Sequence, residues 1–166
     1  MYFSKNTHEL SQRLVTALTT TGITVATAES CTGGLIGAAI TEVGGASTVF
    51  MGGFITYDNR LKREQLGVSA ELLDRHGAVS AEVARAMAEG ARNRADVSRA
   101  VAVTGIAGPG GGSEAKPVGL VHLAVAGESG ATVDEAHVFS GSRAEIRAQA
   151  VDAALTLLLQ SLPPRA

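Results

Sequence analysis

Two hydrophobic rhythms alternate along this 166-residue chain, and their alternation is what an α/β sandwich needs. Leu10, Leu14 and Leu18 recur at helical spacing, with Asn6 and Glu9 ahead of them as a capping pair and Gly22 behind as a left-handed stop. Ile23 to Ala28 is then a short run rich in β-branched residues that ends in polar groups. It reads as a buried strand, followed by a second helix from about Gly33 to Glu42. After the Gly44-Gly45 turn, Val49 to Tyr57 reads as a strand, and Asp58 or Asn59 caps a short helix carrying Lys62. Ser69 and Ser80 cap two further helices, the second with a small-residue face of Ala84, Met87, Ala88 and Ala91 suited to lying on a sheet. Arg99 to Thr104 is another buried strand, while Leu120 to Ala126 and Thr132 to Phe139 form an antiparallel pair joined by a turn at Gly127 to Gly130. Ser142 with Glu145 makes a capping box, and Ile146, Val151, Leu155 and Leu158 form the inner stripe of a last helix before Pro163-Pro164. The expected fold is a three-layer α/β/α sandwich with a mixed sheet of about five strands, one domain over residues 1–166.

Composition fits that reading. The chain is 45% hydrophobic, yet it has 20 glycines, four phenylalanines, two tyrosines and no tryptophan, which points to close backbone packing rather than a core of large rings. Net charge is −2 and the 14 basic residues are scattered, so a nucleic-acid partner is not expected. A single cysteine, Cys31, excludes an internal disulfide and a cysteine-built zinc cage, and points to a cytoplasmic location. Met1 to Leu10 has no signal-peptide core, and no stretch is apolar for the ~18 residues a membrane span needs.

The chemistry concentrates where the first strand hands over to the second helix, in Thr27-Ala28-Glu29-Ser30-Cys31-Thr32-Gly33-Gly34. In open α/β sheets ligands gather outside the carboxyl ends of strands. Ser30 there can attack a carbonyl while the amides of Thr32 to Gly34 stabilise the oxyanion, or it can simply cap the helix. A serine needs a base, and His8, His76, His122 and His137 all occupy places suited to structural roles. Lys62 follows directly after a strand and can project over the same sheet edge as a desolvated base, or lie in solvent like its neighbours Arg60 and Arg63. Cys31 is an alternative nucleophile, its thiol acidified by a helix N-terminus, or a packing residue. The run Gly108-Pro109-Gly110-Gly111-Gly112 can cradle a phosphate but lacks the ending of a nucleotide-triphosphate loop.

Taken in order, Ala28-Glu29-Ser30-Cys31-Thr32-Gly33-Gly34, Gly52-Gly53-Phe54-Ile55-Thr56-Tyr57, Lys62 with Leu66-Gly67-Val68, Val103-Thr104-Gly105-Ile106-Ala107-Gly108-Pro109 and Lys116-Pro117-Val118-Gly119 resemble the CinA C-terminal domain family over nearly the whole chain. The resemblance implies a CinA-like sandwich, with a topology like that of anticodon-binding domains. The activity it implies is that of a nicotinamide-nucleotide amidohydrolase, which converts nicotinamide mononucleotide to nicotinate mononucleotide and ammonia without metal or cofactor. By position it makes Ser30 the nucleophile, Lys62 the base and Thr104 a hydroxyl that supports the pair. It places Tyr57 at the mouth, Glu29, Cys31, Thr32, Gly33, Gly34 and Gly105 around the substrate, and Arg147 in the family's C-terminal R-x-x-x-R feature. The loop glycines and a basic residue among Arg143, Arg147 and Lys116 are expected to hold the 5′-phosphate. A small-molecule nucleotide is thus the expected ligand and a homo-oligomer the expected assembly. The family also occurs behind a larger pyrophosphatase-like domain, whose function does not carry over.

Overall fold

The computed structural model describes residues 3–128 and 130–164. A five-stranded mixed sheet in the order β2-β1-β3-β4-β5 is covered by helices on both faces, the sandwich read from the sequence. Its elements are α1 (Lys5–Thr21), β1 (Val25–Glu29), α2 (Leu35–Thr41), β2 (Phe50–Ile55), α3 (Asn59–Leu66), α4 (Ala70–His76), α5 (Ala81–Ala95), β3 (Arg99–Gly105), β4 (Leu120–Gly127), β5 (Thr132–Val138) and α6 (Arg143–Gln160). Strands β2, β1 and β3 run parallel, and β4 and β5 are antiparallel.

The two faces of the sheet differ in side-chain size, which is how a core with few aromatic rings closes. Val25, Val101, Val103, Val121, Leu123 and Val125 point to one side and pack with Leu14, Leu18, Ile36, Ile40, Ile146 and Leu155 of α1, α2 and α6. Ala26, Ala28, Ala100, Ala102, Ala124 and Ala126 point to the other side, against Val83, Ala84, Met87, Ala88 and Ala91 of α5. Valine or leucine alternating with alanine along β3 and β4 thus fixes register, since a one-residue slip would exchange the faces. On the alanine face α5 lies close to the sheet, and α3 lies on α5 at Gly90, where an added Cβ would sit 2.0 Å from the Leu66 carbonyl oxygen. Only glycine permits that crossing. The helix that carries Lys62 is therefore held by backbone contact.

Strand β1 has β2 on one side and β3 on the other, and the crossovers leading to them cover opposite faces. That arrangement opens a crevice beyond the carboxyl ends of β1 and β3, the usual ligand position in such sheets. The pair Glu29↔Val103 places the next residues, Ser30 and Thr104, side by side on the alanine face.

Several local expectations are corrected. Helix α1 is capped by Ser4, whose Oγ accepts the Thr7 N–H at 3.1 Å, while Asn6 and Thr7 donate instead to Asp152 of α6 at 2.7 and 2.6 Å. Helix α2 begins at Leu35 rather than Gly33, because Gly33 and Gly34 take positive φ (61° and 100°) to form the entering turn. Ser30 therefore caps no helix. Asp58, Ser69 and Ser80 cap as expected, and the Ser142–Glu145 box is formed in both directions. Gly130 N–H meets Gly127 O at 3.3 Å in the expected hairpin turn, whose Ser129 lies outside the described residues.

Candidate active site

The turn after β1 is built around a buried carboxylate. Glu29 is 1% exposed and accepts the Thr32 hydroxyl at 2.6 Å and the N–H groups of Gly34, Ile36 and Gly37 at 3.0, 3.1 and 2.9 Å. It does for α2 what a side-chain cap would do, and its charge sits at the positive end of the helix. From α6, Arg147 supports the same turn, donating Nε to the Cys31 carbonyl at 3.1 Å and Nη2 to the Thr32 carbonyl at 2.9 Å. Glu29, Thr32 and Arg147 thus shape the turn and do not line the cleft. Two of the three expected oxyanion donors are already engaged, since Gly33 N–H meets Ser30 O at 3.1 Å and Gly34 N–H is held by Glu29, and Thr32 does not line the cleft. Among the described residues, the amides of Cys31 and Ala107 donate to no other residue, and both residues line the cleft.

What this turn presents is Ser30, 8% exposed, with its Oγ 3.1 Å from Nζ of Lys62. Lys62 is 1% exposed, and Nζ also donates to the carbonyls of Thr56 at 2.9 Å and Tyr57 at 3.2 Å, at the end of β2. Burial pushes the amine below the ordinary lysine value, against the opposing pull of the Asp58 carboxylate. A neutral amine has two N–H groups and one lone pair. As an ammonium, Lys62 donates to Ser30 Oγ and to both carbonyls; once neutral, it gives its two N–H groups to the carbonyls and keeps the lone pair for the Ser30 proton. The reading of Lys62 as a solvated helix residue is overturned.

Cys31 is buried and its thiol is pushed up to about 11 by that burial, with Glu29 adding to the rise and Arg147 and Lys62 opposing it. The expected acidification by a helix terminus is reversed, because desolvation of the thiolate outweighs it. Thr104 lines the cleft next to Ser30, but its hydroxyl donates to the Ala78 carbonyl at 2.8 Å, so toward the dyad it can offer only its lone pairs.

The cleft has a volume of about 260 Å³. One end holds Ser30, Lys62, Thr104 and Gly105; the other is edged by Tyr57, Asn59, Gly108, Gly110 and Gly111. Arg143, at the start of α6, bridges the mouth: Nη2 donates to the Tyr57 hydroxyl at 2.9 Å and Nη1 to the Gly108 carbonyl at 2.8 Å. Of the three basic residues offered for phosphate binding, Arg143 lines the cleft, Arg147 lies under the turn, and Lys116 donates to the His76 carbonyl at 2.6 Å. The histidines stay outside. His8, His76 and His137 face Glu42, Glu82 and Glu135 at 3.6, 3.6 and 2.8 Å, and His122 is lowered by burial, with Lys116 adding to the effect. Sequence reasoning missed Asn59, Ala78 and Val79 as cleft residues. The only local hint is that Asn59 follows the strand that ends at the mouth.

Comparison with known proteins agrees with this fold. The model of the CinA C-terminal domain matches residues 7–162. The crystal structure of competence/damage inducible protein CihA from Agrobacterium tumefaciens is 48% identical, with TM-score 0.94 over 96% of this chain and 98% of that one. Competence damage-inducible protein A (ComA) from Klebsiella pneumoniae is 36% identical, with TM-score 0.91 over 95% and 97%. Among curated relatives, a CinA-like protein of Synechococcus is 49% identical over 157 residues, which are 94% of this chain and 38% of that protein. A CinA-like protein of Parasynechococcus marenigrum is 57% identical over 121 residues, 73% of this chain and 29% of that protein. The chain spans about two-fifths or less of the length of these curated relatives.

Proposed function

The chain belongs to the CinA C-terminal domain family, and we propose that within it this domain is an amidohydrolase that converts nicotinamide mononucleotide to nicotinate mononucleotide and ammonia. The observation that carries the reading is the buried 3.1 Å contact between Ser30 Oγ and Lys62 Nζ, with the other two hydrogen-bonding directions of the amine held by the carbonyls of Thr56 and Tyr57.

Neutral Lys62 takes the hydroxyl proton as Ser30 Oγ attacks the carboxamide carbon, and the tetrahedral oxyanion meets the free amides of Cys31 and Ala107. Lys62 ammonium then protonates the departing nitrogen, ammonia leaves, and a Ser30 ester remains. Lys62, neutral again, deprotonates the water that attacks the ester, returns the proton to Oγ, and releases the acid. Gly108 to Gly111 and Arg143 hold the 5′-phosphate at the mouth, the guanidinium exchanging its contact with Tyr57 for the anion. The step uses the chain's own side chains and backbone amides with water, and takes no cofactor.

Among the described residues no helix is long and apolar enough to cross a membrane. The reading places the protein in the cytoplasm with a small nucleotide as its ligand, and without a nucleic-acid or membrane partner. It also includes self-association through β2, an edge strand without charge that exposes Met51 (49%) and Ile55 (53%). Purified protein is expected to release ammonia and nicotinate mononucleotide stoichiometrically, S30A to stop doing so, and K62M to do so far more slowly. Tight binding of nicotinamide mononucleotide without turnover would make the domain a binding module, and turnover of other amides only would keep the chemistry and change the substrate.

A further inference from the structure

Among the described residues five helices have a polar side-chain cap, and four of the caps are serines: Ser4, Ser69, Ser80 and Ser142. The fifth is Asp58, on the helix that carries Lys62. A cap needs an acceptor and not a charge, and serine serves as well as aspartate. The charge at α3 thus has no counterpart in the helix's own hydrogen bonding.

Its placement gives it another use. The carboxylate is fixed by the Arg60 N–H at 2.7 Å, and the Asp58 carbonyl accepts the Lys62 N–H at 3.2 Å. Asp58 precedes the helix in extended backbone, and the peptide that joins it to Tyr57 is the one whose carbonyl accepts Nζ at 3.2 Å, so the residue starts beside the amine. Asp58 also continues the segment Thr56–Tyr57 whose carbonyls hold Nζ, so acceptors and carboxylate move with the amine as one unit. Of the acidic groups around Lys62, Asp58 alone belongs to the 56–58 segment that holds the amine. From the β1–α2 turn come the Cys31 thiol, kept protonated, and Glu29, enclosed by four hydrogen bonds. Helix α6 contributes the cations Arg143 and Arg147, and the end of β2 the phenol of Tyr57. On α3 itself, Arg60 is paired with Glu64 at 2.9 Å and Arg63 lies in the last turn.

We propose that Asp58 is a positioning residue of the dyad: a fixed negative charge, one helical turn ahead of Lys62, that sets how readily the amine sheds its proton. The proposal rests on the acyl-transfer reading of Ser30 and Lys62. Burial alone pushes the amine down, and a base pushed too far is too weak to take a serine proton. Asp58 restores basicity while remaining outside the cleft.

The test uses D58N and D58S, both competent caps, with D58E as the variant that keeps the charge. Two pH profiles are measured for each: kcat/KM for ammonia release, and the rate at which phenylmethylsulfonyl fluoride modifies Ser30, read by intact mass. In low salt the acid limb of D58N and D58S should lie about 0.5–1 pH unit below wild type, as expected for loss of one nearby unit charge in a partly solvated setting. D58E should stay near wild type, and the difference should shrink toward zero at ~1 M salt. Superimposed acid limbs at low salt in folded variants would overturn the proposal. Ser30 labelling that shows the shift while nicotinamide mononucleotide is not hydrolysed supports Asp58 and removes the substrate reading. Labelling that does not rise with pH in wild type removes both.

Discussion

Gly90→Ala tests whether the geometry of the dyad depends on backbone packing far from the chemistry. The new Cβ would lie 2.0 Å from the Leu66 carbonyl oxygen and 2.8 Å from its carbon. A carbon rests no closer than about 3.3 Å to a carbonyl oxygen, so one helix must retreat by about 1.3 Å. Helix α5 is packed on the alanine face of the sheet by Val83, Ala84, Met87, Ala88 and Ala91, whereas α3 contributes only Leu66 to that core. Helix α3 yields. Lys62 lies one turn before Leu66, so its Nζ is carried from 3.1 Å to about 4 Å from Ser30 Oγ, beyond hydrogen-bond range. Misplacement on that scale costs about 10²-fold in kcat, and overpacking of this kind costs about 1–3 kcal/mol, a Tm lower by on the order of 5 °C. Steady-state ammonia release and a thermal melt on the same preparation read both effects. A G90A protein with wild-type kcat and Tm would refute the reasoning, because it would mean that α3 is not held by this contact.

Other substitutions separate the roles assigned above. K62M should lose about 10²–10⁴-fold in kcat, as for removal of a general base. It should also flatten the pH dependence of stability: the folded state holds the amine less protonated than the unfolded chain does, so wild-type stability rises with pH from the lowered folded value up to the ordinary lysine value of 10.5, and a methionine cannot contribute that slope. Urea melts at several pH values would detect it, and an unchanged slope would contradict the burial argument. C31A should keep its activity, and native Cys31 should react with iodoacetamide at pH 8 far more slowly than in urea, since a thiol at about 11 is roughly one part in 10³ thiolate there. R143M should raise KM by about 10-fold with Tm unchanged, as for loss of a charged hydrogen bond to substrate. R147M should lower Tm and kcat together, because its guanidinium holds two carbonyls of the turn.

Much of this fold is legible because its signals are local. Ser80 three residues before Val83, Ser142 before Glu145, and valine alternating with alanine in β3 and β4 each follow from helix or strand geometry alone. The site is less legible because its decisive contacts cross the sheet. Ser30 looks like a cap until Gly33 and Gly34 are seen to take positive φ and move the helix start to Leu35. Glu29 reads as a substrate contact, yet its four hydrogen bonds close inward, which depends on the depth at which α2 enters the core. Arg143 and Arg147 differ by one helical turn, and only the docking of α6 sends the first to the mouth and the second beneath the turn. Cys31 illustrates a competition of two effects, helix terminus against burial, whose outcome the sequence does not contain.

The central claim is that Ser30, activated by neutral Lys62, becomes the acyl carrier. It is tested most directly by quenching turnover of nicotinamide mononucleotide in acid and mapping the protein by peptide mass spectrometry. The account predicts an acyl ester on the peptide that contains Ser30, absent from S30A and strongly reduced in K62M. An adduct on Cys31, or continued ammonia release by S30A, would contradict it.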